Sequence, residues 1–198
     1  SILIATLAKI RPTAMLSVPL IIEKIYRSSI VPTISKSKFL SYLDKHAKGL
    51  LYTMVGMKLK KTFGGRIGFF GIGGAKLDPE VEVFLKKARF PYAIGYGLTE
   101  TAPLICSAAP RRTWPGTTGR PVKGIEVKLE DVNPQTGEGE ICVKGPNVML
   151  GYYKDYERTE SVLSQDGWFR TGDLASVDKK GRYSIKGRLG SVIIGASG

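Results

Sequence analysis

The sequence predicts an α/β protein, with a parallel βαβ portion followed by a small antiparallel β-subdomain, either a sheet or a distorted barrel. Two observations point to the first part. Residues 66–72 (RIGFFGI) and 91–95 are short apolar runs suited to buried strands, and between them lies a segment with helix-start chemistry. The second part rests on the texture after about residue 113, where short alternating segments recur between turn residues.

Taken in order, the first third reads as helical. Pro19 sits at the start of a helix LIIEKIYRS, where proline is tolerated because the first-turn N–H is unpaired anyway. From Ser35 onward Phe39, Leu43, Ala47, Leu50 and Met54 recur at helical spacing, with Lys36, Lys38, Lys45 and Lys48 between them. That is an amphipathic helix with a basic outer face, suited first to packing on the rest of the protein and second to lying on a membrane surface. Gly73-Gly74 then permits a tight turn, and Asp78 is a good N-cap ahead of Pro79, Glu80 and Glu82, which predicts a helix over 79–88. The strand at 91–95 runs into a Gly-rich turn at 95–97. Further on, IEVKLED and GEGEICVKG flank a turn at 133–139, and WFRTGDLASVD and RYSIKGR flank Lys179-Lys180-Gly181. A linker-like Pro110-Arg111-Arg112 places the domain boundary so that residues 1–112 form the α/β portion and 113–198 the β-rich one. No repeat or low-complexity segment interrupts this order.

Composition narrows the partners. The net charge is +13 over 198 residues, and residues 1–66 hold 12 Lys/Arg against 2 Asp/Glu. Such a lobe attracts nucleic acid, anionic lipid or a polyanionic small substrate, or is simply a set of solvated helix faces. With no nucleic-acid motif and no interleaved aromatic platform, no nucleic-acid partner is expected. No apolar run reaches the roughly 18 residues of a membrane-spanning helix. Cys106 and Cys142 lack metal-ligand spacing and read as reduced thiols of a cytoplasmic protein, with peripheral contact at the inner membrane surface as the second option. The apolar opening SILIATLAKI has neither an initiator Met nor the marks of a signal peptide, so the chain is expected to be part of something longer.

The segment richest in chemistry is Gly95-Tyr96-Gly97-Leu98-Thr99-Glu100-Thr101. Following a parallel strand, it falls at the sheet edge where α/β ligands bind. Its glycines allow backbone to approach a ligand, Tyr96 offers a flat face to a base, Thr99 offers a hydroxyl to phosphate, and Glu100 is a hard oxygen ligand for Mg²⁺. On the residues alone, a turn with a satisfied glutamate explains it equally well. Asp173 could open a β-turn and Arg188 could be a surface charge. Trp168 reads as core and His46, the single histidine, as a helix-face residue. Lys76 is either a pocket rim or an exposed lysine ahead of a helix.

The string GYGLTE resembles a signature of the adenylate-forming superfamily, which includes acyl- and aryl-CoA synthetases, luciferases and peptide-adenylating domains. Three further stretches follow that family's order. Gly73-Gly74-Ala75-Lys76-Leu77 resembles its Gly-rich turn beside the adenine and acyl pockets, Trp168–Asp173 its aromatic-T-G-D segment, and Gly187-Arg188 its next signature. Arg11-Pro12-Thr13, Val18-Pro19 and Glu23-Lys24-Ile25-Tyr26 resemble the long-chain fatty acyl-CoA synthetases in particular.

The resemblance implies the adenylate-forming N-terminal fold and ATP-dependent conversion of a fatty acid to acyl-adenylate and then acyl-CoA. It makes ATP, Mg²⁺ and coenzyme A the cofactors or co-substrates. It also assigns roles by position. Tyr96 and Gly97 bind adenine, Thr99 the α-phosphate, Glu100 Mg²⁺, and Asp173 and Arg188 the ribose. Ile185 touches adenine, and Gly74, Ala75 and Lys76 border the pocket; Thr99 and Glu100 are the catalytic pair. Residues 116–124 (GTTGRPVKG) look like the family's phosphate loop, but they follow GYGLTE rather than preceding it. They fit instead the segment that enters the β-subdomain. The phosphate loop and the lysine-bearing C-terminal domain are not among these residues, so the chain by itself is expected to be inactive. Gly190 stands where a charged hinge residue is usual. Two alternatives stay open: a non-catalytic module that binds adenylate or anionic membrane, and acyl transfer to a carrier-protein thiol. Oligomeric state is left open.

Overall fold

The computed structural model describes residues 2–190; the apolar SVIIGASG at the end lies outside the described residues. These residues fall into two compact units. One holds residues up to Gly95 together with Ala108–Gly116, the other Tyr96–Ser107 together with residues from Thr117 onward.

The first unit is a parallel three-stranded sheet with helices. Helix α1 (Ile2–Ile10) precedes β1 (Ala14–Ser17), and α2 (Pro19–Ile25) follows with proline in its first turn. A π-turn over Tyr26–Ile30 leads to α3 (Val31–Lys36), whose Pro32 has no N–H to give to a regular helical turn. Next come α4 (Lys38–His46), α5 (Lys48–Thr62), β2 (Phe69–Ile72), α6 (Pro79–Lys87) and β3 (Tyr92–Tyr96). Strand β2 pairs in parallel with both β1 and β3, so β2–α6–β3 is the βαβ unit the sequence predicts. Asp78 caps α6 by accepting from the Glu80 and Val81 amides, at 2.8 and 3.2 Å. The core behind the sheet contains an aromatic trio, Phe63, Phe70 and Phe90, with ring centroids 5.1–5.7 Å apart.

The basic helix expected from Ser35 is divided among the end of α3, α4 and α5, with a first break at Ser37 (φ −95°, ψ 112°). The backbone breaks at Ala47 (φ −146°, ψ 53°), which resets the helical phase. Of the predicted apolar stripe Leu43 is buried while Phe39 is 58% exposed; beyond the break Leu50 is 52% exposed, and burial passes to Leu51, Val55 and Leu59. Strand β1 interrupts the first third, which the sequence reading took as wholly helical. Its pattern alternates between exposed and half-buried, without the apolar signature of a strand buried on both faces.

The second unit contains a 3₁₀ turn (Thr99–Thr101) and the short antiparallel pair β4 (Cys106–Ala108) and β5 (Arg120–Pro121), joined at Cys106–Pro121 and Ser107–Arg120. It also contains the antiparallel sheet β6 (Glu126–Glu130), β7 (Gly139–Lys144), β8 (Phe169–Val177) and β9 (Tyr183–Arg188), in that order. Helix α7 (Tyr156–Val162) lies between β7 and β8. Among the described residues β6 and β9 remain the sheet's edges, so it is an open sheet and the barrel expectation is not met. Ile105, Ile141, Val143 and Ala175 form its fully buried core.

The boundary expected at 112–113 falls inside a segment that stays with the first unit. The Lys86 ammonium donates to the carbonyls of Arg111 (3.1 Å) and Thr113 (2.5 Å), and Glu82 Oε2 accepts from the Gly116 amide at 2.9 Å. These bonds strap 108–116 to α6.

Candidate functional site

Asp173 lies in a strand, not at the head of a turn. A step of two residues on β7 (Glu140 to Cys142) matches a step of four on β8 (Leu174 to Arg170), and β8 slips again against β9 between Leu174 and Ala175. The T-G-D tripeptide therefore occupies a bulged stretch, and bulges re-aim side chains. Gly172 takes φ +73°, where a side chain would be strained. The bulge is pinned from both ends. The Thr171 hydroxyl donates to the Ile141 carbonyl at 2.9 Å and accepts from the Asp173 amide at 3.1 Å. Glu140, itself 5% exposed, accepts from the Gly172 amide at 2.9 Å and pairs with Arg170.

So held, the Asp173 carboxylate accepts from the Tyr96 hydroxyl at 2.8 Å and faces Arg188 Nε at 3.5 Å. Arg188 is its direct cross-strand neighbour on β9. The Asp173 side chain is 13% exposed and that of Arg188 is 60% exposed, so the pair runs from shelter to solvent. Burial pushes the Tyr96 phenol well above its usual range, and the adjacent Asp173 charge adds to the shift. Tyr96 is thus a neutral donor at any physiological pH.

Gly97 has a requirement of its own. A Cβ there would stand 1.6 Å from the Pro103 carbonyl oxygen, so the chain's own return fills the space beside it. Thr99 is exposed and Glu100 half-buried on the 3₁₀ turn. Glu100 Oε1 accepts from the Tyr152 hydroxyl at 2.9 Å, and the Glu100 carbonyl accepts from the Met149 amide at 2.8 Å. Ile185 is half-buried against the core of the open sheet. The structure thus brings Tyr96, Asp173 and Arg188 into one hydrogen-bonded group. Gly74, Ala75 and Lys76 are exposed in the β2–α6 turn of the first unit, with Gly74 at φ +83°. Trp168 is half-buried, with the Lys128 ammonium 4.2 Å above its ring, and His46 is exposed beside the Tyr42 ring.

The stretch 116–124 behaves as the sequence order implies. It carries β5, and Thr118 and Gly119 bond to Tyr183 of β9. Tyr152 and Asn147 were missed. Asn147 donates to the carbonyls of Thr101 and Leu104, at 2.8 and 2.9 Å, and so fastens the same turn. The sequence signal for both was slight, because polar and aromatic residues in a loop show no periodicity.

Glu100 also bears on whether Mg²⁺ suits these residues. Among the described residues no cluster of three or more His, Cys, Asp or Glu could cage a metal. One half-buried carboxylate beside an exposed threonine hydroxyl does fit Mg²⁺, which takes one or two carboxylates and completes its shell with phosphate oxygens and water.

A parallel βαβ unit joined to an open antiparallel sheet is the fold class of the N-terminal domain of adenylate-forming enzymes. Apo MatB from Rhodopseudomonas palustris shares it at a TM-score of 0.68 and 27% identity, over 96% of this chain and 33% of its own. The amide bond synthetase McbA from Marinactinospora thermotolerans shares the fold at a TM-score of 0.70 and 24% identity, over 94% of this chain and 34% of its own. The model of the family described as AMP-binding enzyme matches residues 1–153, and the chain belongs to that family. Its relatives include the peroxisomal long chain acyl-CoA synthetase 6 of Arabidopsis thaliana, 34% identical over 99% of this chain and 31% of the relative. The long-chain-fatty-acid–CoA ligase FadD15 of Mycobacterium bovis is 30% identical over 99% of this chain and 35% of the relative. The chain therefore spans about a third of the length of these relatives.

Proposed function

We propose that the protein carrying this chain is an acid–thiol ligase that activates a long-chain fatty acid with ATP and passes the acyl group to coenzyme A. In the first step the carboxylate oxygen bonds to the α-phosphorus and the bond to the β-phosphate bridge breaks, releasing pyrophosphate. In the second, the coenzyme A thiol adds to the acyl carbonyl and AMP leaves. The observation that carries the nucleotide half is the Asp173 carboxylate, held at a strand bulge by Tyr96 and Arg188. A fixed anionic acceptor of this kind suits a pair of ribose hydroxyls, each charged hydrogen bond being worth roughly 1.5–3 kcal/mol. The fatty-acid half is supported by relatives that are themselves long-chain acyl-CoA synthetases.

In this reading Tyr96 lends its ring face to adenine, with Ile185 and Gly97 alongside, Thr99 donates to the α-phosphate, and Glu100 offers its carboxylate to Mg²⁺. When bound, Mg²⁺ supplies charge neutralisation at the phosphates. The protein's part is alignment: nucleotide fixed through ribose and base, and reacting atoms brought into line. Gly74, Ala75 and Lys76 border the acyl and adenine pockets.

The test is fatty-acid-dependent ATP–pyrophosphate exchange with the natural full-length protein and saturated acids of increasing length, followed by thioester formation on coenzyme A. Exchange that rises with chain length and is abolished by Glu100→Ala supports the assignment. Exchange with short aryl acids and none with long-chain acids would overturn the substrate class. Acyl transfer to a carrier-protein thiol in preference to coenzyme A would overturn the acceptor.

A further inference from the structure

We infer that Tyr152 is a positioning residue for Glu100, fixing one carboxylate oxygen so that the other is presented to the nucleotide-bound metal in a set direction. The inference rests on the metal role proposed for Glu100.

A carboxylate at the end of a glutamate has several rotamers, and a metal ligand is effective only when its own orientation is locked by a further hydrogen bond. Tyr152 supplies that bond, its hydroxyl donating to Glu100 Oε1 at 2.9 Å. The tyrosine is itself held at its backbone and at its ring. Its amide donates to the Thr159 hydroxyl at 2.9 Å, which in turn donates to the Asp155 carbonyl at 2.7 Å. The Arg158 guanidinium lies 4.2 Å over its ring. Gly151 before it takes φ +147°, and a Cβ there would come within 2.8 Å of Thr159 Cγ2, so only glycine lets the loop close onto α7. Glu100 is then gripped twice by this loop, through its side chain from Tyr152 and through its carbonyl from the Met149 amide.

The arrangement has a chemical consequence. The Tyr152 hydroxyl on Oε1 orients the carboxylate so that its other oxygen is the one presented, a one-oxygen mode suited to the octahedral shell of Mg²⁺. Without the phenol both oxygens are free and the side chain can rotate, so metal affinity falls while acyl recognition does not change.

The experiment uses the natural full-length protein with ATP, reading Mn²⁺ binding directly by loss of the free-ion electron paramagnetic resonance signal. The half-saturating Mg²⁺ concentration and the fatty-acid KM in pyrophosphate exchange are measured in parallel. Tyr152→Phe is expected to weaken Mn²⁺ binding about 10- to 100-fold, the usual cost of losing the hydrogen bond that orients a metal ligand, with fatty-acid KM unchanged. In a Glu100→Ala background Tyr152→Phe is expected to add nothing. Arg158→Gln, on the exposed face of α7, gives a second and smaller shift in the same direction, even if Tyr152→Phe folds poorly. A Glu100→Ala effect without any Tyr152→Phe effect sinks this inference and leaves the metal reading standing. Full additivity of the two substitutions also sinks it. Unchanged Mn²⁺ binding in Glu100→Ala removes the metal role and this inference with it.

Discussion

Tyr96 donates its phenol proton to Asp173 across 77 positions of sequence, at 2.8 Å, and so ties two distant segments of the second unit together at the bulge of β8. The bond does two things at once. It satisfies a sheltered carboxylate oxygen that would otherwise be desolvated without a partner, and it fixes the plane in which that carboxylate meets a ligand.

Asp173→Ala is expected to weaken a non-hydrolysable acyl-adenylate mimic by roughly 1.5–3 kcal/mol, the worth of hydrogen bonds to a charged acceptor. Tyr96→Phe keeps the ring and removes only the tether, so its cost should be about 0.5–1.5 kcal/mol. Isothermal calorimetry on both variants checks this. Because burial holds the Tyr96 phenol far above its usual range, wild-type affinity should not change between pH 7 and 9 through this residue. Equal losses from the two substitutions would mean that Tyr96 acts on the base through more than its ring.

Glu82 should make the first unit pH-sensitive. The carboxyl is 4% exposed, and its folded pKa is raised by burial, against the lowering effect of the Gly116 amide and Tyr92 hydroxyl bonds. A raised folded pKa means that the folded state holds the proton more tightly than the unfolded state. The contribution to stability is therefore complete below the ordinary glutamate value and declines as pH rises through the folded one. Glu82→Gln retains a carbonyl acceptor for Gly116 and has nothing to titrate. Urea unfolding at a series of pH values from 4 to 7 should show the wild type losing stability relative to Glu82→Gln as pH increases. A parallel pair of curves would remove Glu82 as the cause.

The βαβ unit and the four long strands could be read from the sequence because their signals are local. Asp78, Pro79 and Glu80 start a helix by capping chemistry alone, and the β6–β9 segments show alternation bounded by turn residues. Asp173 and Arg188, proposed above to meet the ribose, were both singled out by motif, and the structure adds that they are cross-strand partners. What could not be read were features set by pairs distant in sequence. Gly49, two residues on, is a weak local hint of the break at Ala47, but it lies within α5, and packing of Leu43 and Leu51 on one core sets the new phase. Strand β1 has an unremarkable four-residue sequence and exists because β2 offers it a ladder. The strap at 108–116 depends on Glu82 and Lys86, whose part in it no local pattern announces. Tyr152 belongs to the same class, since its partner Glu100 lies 52 residues away.

Gly56 fixes how closely two helices of the first unit pack. A Cβ at that position would fall 2.2 Å from the Ala88 carbonyl oxygen at the end of α6, and backbone cannot step aside as a side-chain tip can. Gly56→Ala would ordinarily favour a helix interior by about 1 kcal/mol. Here the forced separation of α5 from α6 should outweigh that gain and leave a net loss of roughly 1–3 kcal/mol, as for other overpacked cores. A thermal melt of Gly56→Ala beside Gly49→Ala separates the effects, because Gly49 has open space around its Cβ position and should be stabilised by the same substitution. Stabilisation by both would show that the helices can part at little cost.

The two thiols are expected to be inert in the folded protein and to report its opening. Burial pushes Cys106 up to about 12, and burial followed by the bond to Glu130 pushes Cys142 to about 12, from an ordinary value of 9.0. At pH 8 the thiolate fraction of each is then about one part in ten thousand, and neither sulfur is exposed to a reagent. A chromogenic disulfide should label neither in the native state and both after denaturation. The linkage sign follows from the same shifts. Both folded values lie above the unfolded one, so the stability they contribute is whole below about pH 9 and is lost as pH rises toward 12. Glu130→Gln separates the pair. It removes the anionic acceptor from Cys142 alone, so Cys142 should label faster at pH 9 while Cys106 keeps its wild-type rate. Equal acceleration of both thiols would mean that the substitution loosened the whole sheet, and the Glu130–Cys142 bond would lose its specific role.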